Sequence, residues 1–246
     1  MRFLITLSYD GTNYYGYQTQ KDKKTVQEEV EKALTIINAG RKTTFTSSGR
    51  TDKKVHAKMQ TGHTDLEVEI TEYKLKRAMN SNLPKDIHVI KAEKVKDDFH
   101  ARYDVVEKTY EYYINQGEYN PIERNYVFQY NHKLNIEKMK EGIKYLLGNH
   151  DFRSFVTENK EKENCVRTIR VAKIEELEND KIKITFTGDG FLRYQVRNMV
   201  GSLIKVGEEK ASPEYIKEFL ERKNRNEEGK TAPAEGLYLT NVKYKE

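Results

Sequence analysis

The segment Gly49-Arg50-Thr51-Asp52-Lys53-Lys54-Val55-His56-Ala57 sets an arginine and a carboxylate two positions apart in a short loop after a glycine. An arginine beside an aspartate holds it ionised and oriented, and an ionised aspartate can serve as a nucleophile or a base. The same residues also suit a surface loop in which Thr51 or Asp52 merely caps the next turn. Residue chemistry alone favours that plainer reading.

Three further segments combine reactive or aromatic types. Phe99-His100-Ala101-Arg102-Tyr103, followed by Glu107-Lys108-Thr109-Tyr110-Glu111-Tyr112-Tyr113, interleaves basic and aromatic side chains as base-stacking surfaces do. Tyr110 and Tyr112 fall on one strand face, which suits a stacking face and a core face equally. Arg193-Tyr194-Gln195-Val196-Arg197-Asn198-Met199-Val200-Gly201 pairs a buried apolar stripe with Arg193 and Arg197, four apart on the adjacent helix face. Those arginines suit phosphate, a buried carboxylate or plain solvation. Thr231-Ala232-Pro233-Ala234-Glu235-Gly236-Leu237-Tyr238-Leu239 reads as a structured turn entering a last strand.

Other chemistries find no support. The chain has no phosphate-binding G-x-x-x-x-G-K-[ST], no dinucleotide G-x-G-x-x-G and no G-x-S-x-G nucleophile turn. Six histidines are scattered without metal-ligand spacing, and the single cysteine, Cys165, reads as a buried structural thiol. One cysteine excludes a disulfide scaffold, and a reducing cytoplasm is the simplest location. With 34% charged residues and no long apolar run, the sequence predicts neither a membrane protein nor a secretory leader. The net charge of +5 and the 17 tyrosines admit an RNA partner without requiring one.

These segments need elements to hold them. Phe3, Ile5, Leu7 and Tyr9 alternate as a strand that Asp10-Gly11 breaks. A helix begins at Val26, with Thr25 and Glu28 as a capping box, and closes near Gly40. Residues 43–48, 63–70 and 87–95 read as extended, and 72–80 as helix. The second half repeats the style, with strands at 109–114, 169–174, 182–186 and 237–244. Its helices carry the stripes Ile136-Met139-Ile143 and Val196-Met199-Val200-Leu203. Ser212-Pro213 reads as N-cap and first residue of another helix. The pattern is α+β in two halves in close contact, with 99–107 and 158–165 the weakest stretches.

In this order the segments resemble the tRNA pseudouridine synthase A family along nearly the whole chain. Tyr9-Asp10-Gly11-Thr12 with Gly16-Tyr17-Gln18 is similar to the family's opening motif, with Tyr17 where tryptophan is usual. The 49–57 segment resembles its catalytic motif, with Lys54 where glycine is usual. If that position needs positive φ, lysine either costs energy or reshapes the loop. The segments around 99–112, 196–201 and 231–237 complete the likeness.

The resemblance implies an isomerase that converts uridine to pseudouridine in the tRNA anticodon stem-loop, at about positions 38, 39 and 40, by drawing the base out of its stack. It implies no metal, no cofactor, a cytoplasmic homodimer and tRNA as partner. The implied fold is α+β, two similar α/β-sandwich halves with mixed or antiparallel sheets meeting at a central basic cleft. The halves would be residues 1–105, with the catalytic loop, and 106–246, forming one catalytic unit. Carried over, Asp52 resembles the nucleophile and Tyr110 the residue that stacks on the uracil, which is also a candidate for proton transfer. Arg50 resembles the arginine beside the catalytic loop, Arg197 the partner of the aspartate, and Leu237 an apolar wall. The alternative is a non-catalytic or retargeted RNA-binding paralogue, favoured only by Lys54. A carboxylate hydrolase would need a second positioned acid, and none stands out.

Overall fold

The computed structural model describes residues 1–156, 164–224 and 230–245. The chain forms two units, one of Met1–Val106 with Tyr238–Glu246, the other of Glu107–Leu237. The last nine residues therefore belong with the first unit, whereas the sequence reading gave everything after 105 to the second half. The reason is pairing: the final strand runs parallel to a strand of the first unit, Tyr238 opposite His56 and Leu239 opposite Ala57.

The first unit comprises β1 (Arg2–Tyr9), α1 (Val26–Ile37), β2 (Thr46–Ser47), β3 (His56–Asp65), α2 (Glu72–Asn82) and β4 (Ile87–Lys94). The second comprises β5 (Val105–Asn115), β6 (Phe128–Gln129), α3 (Ile136–Ile143), β7 (Gly148–Asp151), β8 (Val166–Leu177), β9 (Lys181–Gly188), α4 (Gln195–Gly207) and α5 (Tyr215–Glu221). β10 (Leu237–Tyr244) closes the first unit. Each unit is α+β. The first has strand order β4-β1-β3-β10, with β2 beside β3. The second has β5-β9-β8-β7, with β6 beside β5.

Apolar alternation explains β1: Phe3, Ile5, Leu7 and Tyr9 are all buried. It does not explain β3, which starts seven residues before the expected 63 and ends at Asp65. Its polar Gln60, Thr61, His63 and Thr64 are all buried, so no alternation reveals it. Residues Gln60 to Thr64 are buried in succession, so both faces of β3 are covered there and no solvated face remains for alternation to mark.

Three local expectations change in the structure. Thr25 is the N-cap of α1 but makes no side-chain capping bond. Instead the carbonyls of Gly16 and Tyr17 accept the first-turn N–H groups of Val26 (3.3 Å) and Gln27 (2.9 Å). The preceding loop thus satisfies two of the helix's open first-turn donors. Ser212 and Pro213 lie in a turn, and α5 begins two residues later than expected, with Glu214 as N-cap. β8 and β9 are longer than expected because Asn179 and Asp180 both take positive φ and close a tight hairpin. Residues 157–163, most of the weak stretch at 158–165, lie outside the described residues.

Candidate active site

The loop between β2 and β3 carries Arg50 and Asp52. It is fixed at its base by the buried Gln60, whose side-chain oxygen accepts the Ser48 hydroxyl (2.8 Å) and whose amide donates to the Gly49 carbonyl (3.1 Å). The Thr51 carbonyl accepts the Tyr17 N–H (3.1 Å), and the Thr51 hydroxyl shares a 2.8 Å hydrogen bond with the Tyr9 phenol. Burial pushes the Tyr9 phenol up to about 12, so it remains a neutral hydroxyl in this bond. Val55 N–H closes back on the Asp52 carbonyl at 3.1 Å. The backbone on both sides of Asp52 is thereby held, while its carboxylate is half-buried and Arg50 is exposed.

The opening motif exists to grip this loop. Tyr14 carbonyl accepts the Lys54 N–H at 3.3 Å, and Gly11 N–H donates to His56 Nδ1 at 3.0 Å. Gly11 permits a close approach: a Cβ there would lie 2.1 Å from the Val55 carbonyl oxygen. The His56 ring stacks on Tyr238 of β10, centroids 4.7 Å apart and 22° between planes. Lys54 adopts φ of +66°, the left-handed conformation. The lysine is thus accommodated through backbone strain, which costs a non-glycine residue about 1–2 kcal/mol.

The second unit holds Tyr110, Arg197 and Leu237. Tyr110 and Tyr112 do share one face of β5, opposite Phe186 and Ile184 of β9. Tyr112 is fully buried, and its hydroxyl donates to the Pro233 carbonyl at 2.7 Å. Tyr110 is buried too, with the Phe191 ring edge-on to it at 5.2 Å and 82°. Leu237 is buried at the start of β10.

Arg197 lies in the first turn of α4, and the 231–233 turn orients it. Its Nε donates to the Ala232 carbonyl at 2.7 Å, and Ala232 N–H donates to the Arg197 carbonyl at 3.0 Å. Thr231 hydroxyl donates to Asn198 Oδ1 at 2.7 Å. Gly201 allows this contact, because a Cβ there would sit 1.8 Å from the Lys230 carbonyl oxygen. Arg193 is not on the helix with Arg197, since α4 begins at Gln195. Both guanidinium groups nevertheless lie over the Tyr194 ring, at 5.1 and 5.2 Å from its centroid.

Sequence reading missed Phe191, Tyr194 and the His56–Tyr238 stack. Tyr194 and His56 stood inside segments already singled out, but nothing in residue type announces a left-handed tyrosine or a cross-strand stack. Among the described residues no group of three or more His, Cys, Asp or Glu side chains converges to hold a metal ion. Cys165 is buried, as expected of a structural thiol. No helix among the described residues is long and apolar enough to cross a membrane.

The family described as tRNA pseudouridine synthase matches residues 5–104 and 143–245, spanning the 49–57 loop, α4 and the 231–237 turn. The chain belongs to that family. Among its curated relatives, it is 46% identical over 241 residues to tRNA pseudouridine synthase A of Clostridium acetobutylicum, covering 98% of each chain. It is 43% identical over 247 residues to the protein of that name from Streptococcus pneumoniae strain P1031, covering 100% of this chain and 99% of the relative. For the protein of that name from Lactococcus lactis the identity is 42% over 247 residues, covering 100% and 98%.

Proposed function

We propose that this chain is an isomerase that converts uridine to pseudouridine in the tRNA anticodon stem-loop, at about positions 38, 39 and 40, acting on an unstacked base. The observation that carries the reading is Asp52: a half-buried carboxylate in the family's matched region, on a loop held by Gln60, Tyr9, Tyr14 and Tyr17. A carboxylate that must meet a sugar or base at one geometry benefits from such a rigid mount.

The reaction breaks the N1–C1′ bond and joins C1′ to C5. The C5 proton leaves, N1 gains a proton, and nothing is oxidised or added. Asp52 supplies the ionised carboxylate. Tyr110 stacks on the uracil while it turns and is the candidate for the closing proton transfer from C5. Arg50 and Arg197 are the cations of the reacting centre, which favour ionised over protonated aspartate. Leu237 is an apolar wall for the base. The acting form is a cytoplasmic homodimer, and the chemistry of these residues calls for no cofactor.

The test is Asp52→Ala on an unmodified tRNA transcript. Turnover should fall by on the order of 10⁴ or more while tRNA affinity persists. A variant that retains turnover would remove Asp52 from the chemistry. The alternative, a retargeted or non-catalytic RNA-binding paralogue, rests on Lys54 alone, and a wild-type protein that binds the transcript without turnover would favour it.

A further inference from the structure

Tyr194 is a bulky residue in the left-handed region, φ +63° and ψ −4°, at the N-cap of α4. Aromatic side chains rarely adopt this conformation, and it persists only where the surroundings over-determine it. Here the turn is locked from both sides. Leu192 N–H donates to the buried Gln195 Oε1 at 2.8 Å, and Gln195 N–H donates to the Leu192 carbonyl at 3.1 Å. The Tyr194 carbonyl accepts the Asn198 N–H at 2.9 Å, so the residue still starts the helix. Its side chain makes no capping bond.

The conformation has one visible consequence. It puts the ring within cation–π range of Arg197, three residues on, and of Arg193. A residue entering the helix from the usual extended region would project its Cβ elsewhere. Arginine carries many rotamers, and a guanidinium that acts on a reacting centre must be held in one of them. At Arg197, Nε is taken by the Ala232 carbonyl, and the Tyr194 ring bounds a face of the same group.

We propose that Tyr194 is a positioning residue for Arg197, its strained backbone presenting the ring that fixes the guanidinium. The inference rests on the reading that Arg197 serves the reacting centre. It assigns function to the ring and none to the hydroxyl.

The experiment compares Tyr194→Gly, Tyr194→Phe, Arg197→Met and the double variant Tyr194→Gly with Arg197→Met. Each is read by single-turnover pseudouridine formation at saturating enzyme, by tRNA affinity and by Tm. Glycine removes the ring and relieves the left-handed strain, which offsets the ring's lost packing, so its Tm should stay close to wild type. Its saturated rate should fall about 10- to 100-fold, as expected for a misplaced group, with tRNA affinity changed by less than about threefold. Phenylalanine should keep the rate within about threefold, because the ring face remains. In the Arg197→Met background, removing the ring should cost nothing more. Tyr194→Asn, which also tolerates this backbone, stands in should the glycine variant fail to fold.

Wild-type rate in Tyr194→Gly beside an impaired Arg197→Met would overturn the positioning role and leave the function standing. Weakened tRNA affinity at an unchanged saturated rate would overturn it as well, making the ring a binding contact. Additive losses in the double variant would do the same. A fully active Arg197→Met would instead remove Arg197 from the reacting centre, and the inference with it.

Discussion

At Lys54 a long side chain sits on a backbone that favours glycine, φ +66°. Replacing it should relieve about 1–2 kcal/mol of left-handed strain and add about 0.5–1 kcal/mol of unfolded-state entropy. Lys54→Gly should therefore stabilise the protein by about 0.5–1 kcal/mol, read as a higher denaturant midpoint at constant slope. An unchanged or lower midpoint would show that the lysine has compensating contacts. Tyr112 gives the opposite sign. Tyr112→Phe leaves the Pro233 carbonyl without its donor and should lower stability by about 1 kcal/mol in the same assay. This scale was legible in the sequence only in part. Residue chemistry alone left Asp52, Tyr110 and Arg197 undecided and the family resemblance singled them out, while the doubt over Lys54 concerned the backbone angle that the structure supplies. Tyr194 was invisible, because left-handed φ in a tyrosine follows from the Leu192–Gln195 bonds around it and not from its own propensity.

Among the elements, α4 shows how packing orients Arg197. Gly201→Ala would drive a methyl group into the Lys230 carbonyl, 1.8 Å away, and push the 231–233 turn off the helix. The expected result is a loss of about 1–3 kcal/mol of stability. A fall in rate should accompany it, because the Ala232 carbonyl anchors Arg197. An alanine variant of wild-type stability and rate would mean the turn shifts freely. β3 carries a pH effect. His63 is buried, its Nδ1 accepts the Ala101 N–H at 3.1 Å, and burial, then the Arg2 charge, lowers its pKa below the usual value. The folded state thus holds neutral imidazole while the unfolded chain binds a proton below about pH 6.5. Stability is full above that pH and falls as pH drops toward the lowered folded value. Thermal unfolding at pH 7.5 and 5.5 should show the decline, and His63→Gln should reduce it. Equal pH slopes in the two proteins would contradict this. Strands with clean alternation, β1 and β10, were readable from residue pattern. β3 was misplaced because its buried polar residues mimic a loop, and the α1 cap was misread because residue types alone do not show that Thr25 makes no side-chain capping bond.

Across the whole molecule, the chain returns at its end to the unit where it began. β10 supplies Tyr238 to the His56 ring, and the Tyr244 hydroxyl donates to the Ala101 carbonyl at 3.0 Å. A chain stopped after Leu237 should fail to fold its first unit, visible as lost cooperative unfolding, although a break near 106 looked sufficient from sequence. No local pattern announces which earlier strand a final strand joins, so that part of the organisation was not legible. The measurement that bears most directly on the account is a nucleotide-resolved map of pseudouridine. Purified protein would act on an unmodified tRNA transcript with uridines in the anticodon stem-loop, beside Asp52→Ala. The account predicts pseudouridine at about positions 38, 39 and 40 from the wild type and none from the variant, the base being reached only when unstacked. Pseudouridine made equally by Asp52→Ala, or no pseudouridine from a wild-type protein that binds the transcript, would contradict it.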